Sequence, residues 1–171
     1  ELMKYIPGPD LPTGGLLYRY RVNGEENPVD MIAQAYETGH ATLVCQAKAD
    51  IQDIGGGKTA IFVTELPYQV QKNTILERIA ANRDKFNGIT DVRDESDFTG
   101  MRVVFEVARG METEDALDKL LTNTQLRSSL SHNALALVFD ENGKAAPKNL
   151  RLIDFLVEFI KHRLTVIIRR S

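Results

Sequence analysis

A triple glycine between two strand-like segments is the strongest folding signal in this 171-residue chain. Before Gly55, residues 41–52 alternate apolar and polar side chains, which is the period of a half-buried strand. After Gly57, residues 60–66 are almost continuously apolar, as in a strand with both faces covered. Strands therefore flank the glycines on both sides, and the sequence predicts an antiparallel β-hairpin. A phosphate-binding loop is not favoured, because no helix begins directly after the glycines.

Helical patterns are interspersed with further short strands. The sequence predicts strands at residues 16–22, 89–93, 101–108 and 134–139. It predicts helices at residues 28–38, 70–86, 112–126 and from about 150 onward. Tight turns between strands, with helices between the pairs, are typical of an α+β fold. We therefore expect a two-layer α/β sandwich with a largely antiparallel sheet and helices on one face.

The first helix has signals at both ends. Asn27 is a suitable N-cap, Pro28 suits the first helical position, and Gly39 can adopt the left-handed conformation that ends helices. The last helix differs from the others, because its apolar residues recur at three- and four-residue steps, which is the spacing of a coiled-coil seam. The seam residues are Val157, Ile160, Leu164 and Ile167. We expect this helix to begin a coiled coil that continues beyond the sequence.

Composition limits the classes of protein that remain. With 43% hydrophobic residues and a net charge of −3, the chain should fold, and it is not a uniformly basic nucleic-acid coat. The charge is uneven, because residues 148–171 carry +4 and residues 1–147 carry −7. A single cysteine, Cys45, excludes a disulfide scaffold, and its place on the apolar side of residues 41–52 suggests a core role.

The sequence contains neither an apolar stretch long enough for a membrane helix nor a signal peptide. A cytoplasmic protein is expected, and the start at Glu1 suggests a part of a longer chain.

Catalytic and metal-binding patterns are weak. The three histidines fall in different predicted elements, and no Cys, His and carboxylate set has metal-ligand spacing. The carboxylates of residues 91–97 lack the alternating ligands of a calcium loop, so a solvated acidic turn is favoured over a metal site. We therefore predict no catalytic residue and no metal ligand in this chain.

The Tyr18-Arg19-Tyr20-Arg21 run allows two interpretations. Guanidinium groups interleaved with aromatic rings suit nucleic acid, because arginine binds phosphate through two hydrogen bonds and rings stack on bases. The alternative is an exposed edge strand with alternating arginines. The residues themselves leave both interpretations open.

Several ordered blocks resemble one family. Residues 2–15 (LMKYIPGPDLPTGG) are similar to an Ile-Pro-Gly-Pro-Asp-Phe-Pro-Thr segment of the A-type subunit of bacterial type IIA DNA topoisomerases. Further blocks follow in the family's order at residues 35–41 (AYETGHA), 64–72 (TELPYQVQK), 92–107 (VRDESDFTGMRVVFEV) and 159–170 (FIKHRLTVIIRR). The blocks span essentially the whole chain. They resemble the gyrase form of this protein more than the topoisomerase IV form.

The resemblance implies a place within a larger enzyme. Residues 1–15 would be a connector from a winged-helix domain, residues 16–147 the α+β tower domain, and residues 148–171 the start of the coiled-coil helix. The family passes one DNA duplex through a transient double-strand break in another, coupled to ATP. Its catalytic tyrosine belongs to the winged-helix domain, so Tyr20 is not expected to be the nucleophile and this stretch should be inactive alone. ATP and Mg²⁺ would be used through the partner subunit, with no cofactor in this chain.

The implied partners are double-stranded DNA, the ATPase (B-type) subunit and a second A-type subunit. Within this chain, the residues predicted to contact DNA are Arg19, Arg21 and Lys72. The two arginines form a basic edge near the connector, and Lys72 follows the Pro-Tyr-Gln-Val turn. Residues 18–30 are longer than the family's corresponding segment, and His40-Ala41 replaces its Arg-Gly pair. A second hypothesis is a stand-alone ferredoxin-like interaction module without a role on DNA.

Overall fold

The computed structural model describes residues 1–21, 27–139 and 143–170. The described α-helices are α1 (Met31–Thr38), α2 (Lys72–Ala81), α3 (Thr113–Asn123) and α4 (Leu152–Arg170). The described strands are β1 (Leu16–Tyr18), β2 (Tyr20–Arg21), β3 (Val29–Asp30), β4 (His40–Gln46), β5 (Lys48–Gly55), β6 (Lys58–Glu65), β7 (Ile89–Asp94), β8 (Val103–Val107), β9 (Arg127–Asn133), β10 (Leu135–Phe139) and β11 (Ala145–Asn149). Short 3₁₀ helices lie at Leu2–Lys4 and Arg83–Phe86.

The chain divides into two compact units. The first unit comprises Glu1–Gly8, Tyr18–Leu43 and Leu130–Ser171, and the second comprises Pro9–Leu17 and Val44–Ser129. A three-stranded sheet has the order β1-β4-β9.

The second unit contains a four-stranded antiparallel sheet with the order β5-β6-β8-β7. Ile61 and Val63 of β6 and Phe105 of β8 lie in one buried cluster with residues of α2 and α3, while Phe62 lies in a second, small cluster. Successive side chains of a strand point to opposite faces, so both helices cover the same face of this sheet. The predicted α+β fold, with helices on one face of an antiparallel sheet, is confirmed. The predicted hairpin is also present, with Gly55 paired with Lys58.

The order β6-α2-β7-β8-α3-β9 is that of a ferredoxin-like unit. However, β9 belongs to the sheet of β1 and β4, in which it pairs with β4, and β5 occupies the sheet position beside β6. The second unit therefore departs from the ferredoxin-like topology of the alternative hypothesis.

The first unit contains α1, α4 and two antiparallel strand pairs. β2 pairs with β3, and β10 pairs with β11. The N-cap of α1 is Asp30, whose carboxylate accepts a hydrogen bond from Ala33 N at 2.9 Å. The prediction that Asn27 caps this helix and Pro28 begins it is wrong, because pairing with β2 keeps Val29 and Asp30 extended. Gly39 ends α1 in the left-handed conformation, with φ 72°, as predicted.

Other departures from the sequence prediction follow from pairing partners. Residues 41–52 form two strands, because the N–H of Ala47 between them donates to Leu126 O at 2.7 Å and turns the chain from one sheet to the other. β9 and β11 are strands that the sequence pattern did not predict. Pro147 in β11 is tolerated because β11 has β10 as its single neighbour in a two-stranded pair. The polar segments at residues 23–27 and 140–143, for which the sequence predicts turns, fall mainly outside the described parts.

Candidate DNA-contacting residues

Arg19 and Arg21 lie next to each other in the first unit, on either side of Tyr20. Arg21 belongs to β2 and pairs with Val29, while Arg19 occupies the break between β1 and β2. The carbonyl of Arg19 accepts a hydrogen bond from Met31 N at 2.8 Å, which anchors the break to the start of α1. The structure therefore places two of the three predicted cations on one short, exposed segment.

The guanidinium of Arg19 is oriented by two neighbours. Its Nε lies 2.8 Å from Oδ2 of Asp30, and its Cζ lies 5.2 Å from the centre of the Tyr20 ring. The hydrogen bond to Asp30 raises the pKa of Arg19. Desolvation opposes ionisation of Asp30, but the hydrogen bonds from Ala33 N and Arg19 outweigh it and lower the pKa of Asp30. With 47% of its side chain exposed, Arg19 is fixed in direction and still accessible to an anion.

Arg21 is exposed, and in the described parts of the chain it has no ion-pair partner. An unpaired guanidinium keeps all of its donors available for a phosphate group. Of the two arginines, Arg21 is therefore the one whose binding to an anion does not have to compete with a carboxylate.

Lys72 lies in the second unit, at the first residue of α2. Its Nζ is 2.6 Å from Oδ2 of Asp94 and 3.1 Å from Oγ of Ser96, and 27% of its side chain is exposed. The hydrogen bond from Lys72, with others from Ser96, lowers the pKa of Asp94 to about 2. Lys72 therefore holds the start of the loop after β7 and is less available to a ligand than Arg21.

We expect the pair of Lys72 and Asp94 to make stability depend on acid pH. Because the folded pKa of Asp94 is about 2 and its ordinary value is 3.8, the unfolded chain takes up the proton first as the pH falls. The pair thus stabilises the fold above pH 4, and this contribution is lost as the pH falls towards 2. Urea midpoints measured across this range should fall less steeply in Asp94→Asn than in the unmodified chain.

Asp118→Asn is the matched control for this measurement, because Asp118 lies on α3 and has no ion pair in the described residues. Its pH profile should follow that of the unmodified chain. Asp154, whose hydrogen bonds with Arg151 lower its pKa to about 2, contributes equally to all three profiles. Identical slopes for Asp94→Asn and the unmodified chain would contradict the assignment.

The acidic turn at residues 91–97 is held together by arginines. Arg93 pairs with Asp91 at 3.2 Å, with Glu95 at 3.4 Å and, through a short contact, with Glu106. Arg102 pairs with Glu95 at 3.3 Å. In the described parts of the chain, no three His, Cys, Asp or Glu side chains are grouped so that they could hold a metal ion. The carboxylates of this turn therefore serve mainly as partners of cations.

Cys45 is buried, with a pKa raised by desolvation. A buried thiol with a raised pKa is a poor nucleophile, which agrees with the core role inferred from its position in the alternating segment.

Sequence reasoning missed the acidic partners Asp30 and Asp94. Asp30 had a detectable signal, because an aspartate before an apolar periodic segment is a favoured N-cap. The partnership of Lys72 with Asp94 and Ser96 had none, because it depends on how α2 packs beside β7.

Comparison with known proteins places the whole chain in one family. A family model that describes the A subunit of DNA gyrase and topoisomerase IV matches residues 1–171, and the chain belongs to this family. It is 42% identical to the DNA gyrase A subunit of Pseudomonas aeruginosa and 36% identical to the DNA topoisomerase 4 A subunit of Streptococcus pyogenes serotype M18. Each alignment covers 100% of this chain, but 17% and 19% of these relatives.

The predicted resemblance is thus confirmed, and the identities agree with a greater similarity to gyrase. A probable chloroplastic/mitochondrial DNA gyrase A subunit of Oryza sativa subsp. japonica is 39% identical over the whole chain. Among the described helices, none combines the length and the apolar character that crossing a membrane requires.

Proposed function

We propose that this chain acts as the tower in the A subunit of a type IIA DNA topoisomerase. In this role, residues 16–147 form an arm between the DNA-cleaving region and the coiled coil, residues 1–15 connect it to the winged-helix domain, and residues 148–171 begin the coiled coil. The observation that carries the proposal is the family match over all 171 residues. The chain spans about a sixth of the length of the relatives it matches, so the activity belongs to a larger assembly.

The proposed reaction of that assembly is the passage of one DNA duplex through a transient double-strand break in another. ATP hydrolysis and Mg²⁺ would be contributed through the B-type subunit, and two A-type subunits would form the gate in the cytoplasm. The family match supports this assignment. We propose that the isolated chain is catalytically inactive. Cys45 is buried, and Tyr20, which stands between two arginines in the sequence, has no paired base in the described residues.

The exposed stripe of α4 supports the coiled-coil part of the proposal. Val157, Ile160, Leu164 and Ile167 are between 42% and 56% exposed, although they recur at seam spacing. Apolar residues in such a stripe are normally covered by a second helix, because burial of apolar surface stabilises the pair.

The proposed contribution to DNA binding is non-specific contact with phosphate groups, which positions the duplex without reading its sequence. We propose that Arg21, Arg19 and Lys72 make such contacts. Arg21 should contribute most, because the two other cations already bind Asp30 and Asp94.

The DNA contacts can be tested in a chimera in which this chain replaces the matching segment of the Pseudomonas aeruginosa relative. Each phosphate contact adds about 0.9 to the slope of log K against log salt concentration. We expect Arg21→Ala to reduce the slope by close to that amount, with smaller reductions for Arg19→Ala and Lys72→Ala. Salt titrations of DNA binding by the chimera measure these slopes.

Lys119→Ala supplies the matched control, because it removes one positive charge from α3, at a side chain whose amine makes a long hydrogen bond of 3.4 Å to Asn87 O. Its slope should equal that of the parent chimera. A triple Arg19, Arg21 and Lys72 variant with an unchanged slope would overturn the proposed contacts. A folded chimera that fails to change DNA topology, while the unmodified relative succeeds, would overturn the tower role.

A further inference from the structure

A groove in the second unit lies between α2 and the edge of the four-stranded sheet. It has a volume of about 290 Å³ and is bounded by α2, the 3₁₀ turn Arg83–Phe86 and β7. The larger apolar residues of its lining are Leu76, Ile79, Phe86, Ile89 and Val92. The groove has room for at least one large apolar side chain, at the lower limit of typical ligand pockets.

The strand that borders this groove has an open edge. β7 is the last strand in the order β5-β6-β8-β7, and in the described residues no strand pairs with its other side. Glu95 N donates to Arg102 O at 2.8 Å, so Glu95 and Arg102 are a hydrogen-bonded pair. In the register of β7 with β8, Asp94 lies opposite Val103 and Val92 lies opposite Phe105, one and three positions from that pair. Since hydrogen-bonded and non-hydrogen-bonded pairs alternate in an antiparallel ladder, Val92 and Asp94 direct their backbone groups to the open edge.

The available charge at the groove is positive. Arg83 lines it and has no ion pair in the described parts of the chain. Asp91, the acidic residue of the lining, is 3.2 Å from Arg93 and is thereby compensated. A ligand that enters the groove therefore meets an apolar floor, open backbone donors and acceptors, and an uncompensated guanidinium.

We propose that β7 and α2 form a docking groove for an extended peptide segment of a partner protein. The segment adds a strand to β7, places one apolar side chain in the groove and directs a carboxylate two residues away, on the same face of the added strand, to Arg83. Strand addition beside a helix is a general mode of peptide recognition, in which backbone hydrogen bonds supply affinity and a side-chain pocket supplies specificity. The groove lies wholly in the second unit, and its occupation by a peptide does not depend on the proposed action on DNA.

The test uses an array of fluorescein-labelled peptides with alternating threonine and valine, in which two central positions separated by one residue are varied. Binding to the 171-residue chain is measured by fluorescence anisotropy. We expect the tightest binding when leucine or phenylalanine at one varied position is combined with glutamate or aspartate at the other, because both side chains then face the groove. Methylation of the central backbone nitrogens should abolish binding, because it removes the donors needed for strand addition. The absence of binding across the array, or binding that survives backbone methylation, would overturn the proposal.

Two protein variants connect the binding to the groove. Arg83→Glu should weaken binding of the best acidic peptide about tenfold, the usual effect of losing a charge-assisted hydrogen bond. A peptide with lysine in place of the acidic residue should bind this variant better than it binds the unmodified chain. Ala80→Phe should prevent the apolar side chain of the peptide from entering the groove, because Ala80 is an exposed residue of the groove lining. Arg78→Glu is the matched control on α2, because Arg78 is outside the lining, and circular dichroism reports the fold of each variant.

Other occupants give distinguishable results. If a labelled DNA duplex binds this chain and Arg83→Glu weakens that binding while no peptide binds, the groove is a phosphate site and the proposal is wrong. If sedimentation shows a dimer that Ala80→Phe dissociates, the edge is occupied by a second copy and the proposal is also wrong.

Discussion

Replacing Gly39 with alanine is expected to destabilise the first unit by about 2–4 kcal/mol, the sum of left-handed backbone strain and a steric clash. Gly39 has φ 72°, a conformation in which side chains are disfavoured. A Cβ at this position would lie 2.4 Å from Leu150 O and 2.7 Å from Asn149 Oδ1. The backbone cannot easily move away, because Ala134 N donates to Gly39 O at 2.8 Å and Leu150 N donates to Ala134 O at 3.0 Å. Urea unfolding monitored by circular dichroism measures the loss.

Gly57→Ala separates the two causes of this loss. Gly57 has φ 71°, nearly the same as Gly39, but a Cβ there would have no heavy atom within 4 Å. This control should lose about 1 kcal/mol, the cost of the left-handed conformation alone. Equal losses for the two variants would show that the packing of Gly39 against residues 149–150 does not contribute.

Phe105→Ala is expected to have the largest effect of any single substitution considered, about 3–5 kcal/mol in the free energy of unfolding. Phe105 is 1% exposed and belongs to the main buried cluster of the second unit, with Ile61 of β6, Ile79 of α2 and Leu120 of α3. Truncation would leave a cavity where the helices cover the sheet, so the effect combines lost burial with an unfilled space. Chemical denaturation followed by far-ultraviolet circular dichroism is the appropriate measurement.

Phe98→Ala is the corresponding control, because the same side chain is removed from a position that is 100% exposed. Its effect should lie within about 0.5 kcal/mol of zero, as is usual for surface substitutions. A loss at position 98 comparable with that at position 105 would contradict the assignment of the core to the helix-covered face of the sheet.

The elements that the sequence predicted well are those whose signals are local. The hairpin at Gly55–Gly57 combined a period-two segment, a glycine turn and an apolar segment, and the structure pairs β5 with β6 there. Residues 101–108 and 112–126 carried clear strand and helix periods, and they correspond to β8 and α3. The left-handed Gly39 was also predictable, because a glycine after an apolar helical stripe is a common helix end.

For the candidate DNA-contacting residues, the sequence supplied the identity of the cations but not their availability. Arg19, Arg21 and Lys72 were chosen from their neighbours along the chain. The structure shows that Arg19 binds Asp30, eleven residues away, and that Lys72 binds Asp94 beside Ser96. Such pairings require elements that are distant in sequence to pack together, and no local pattern encodes them.

The sequence by itself determined the α+β class, the central hairpin, the presence of helices at α2 and α3, and the family, because these depend on residue order and local period. Only the tertiary structure decided where α1 begins, why residues 41–52 divide at Ala47, and that the polar segments of β9 and β11 are strands. In each of these cases a backbone hydrogen bond to a distant partner outweighs local preference, as the bond from Ala47 N to Leu126 O does. The cost of leaving a buried backbone group unpaired exceeds the small differences in intrinsic propensity, so the available partner sets the conformation.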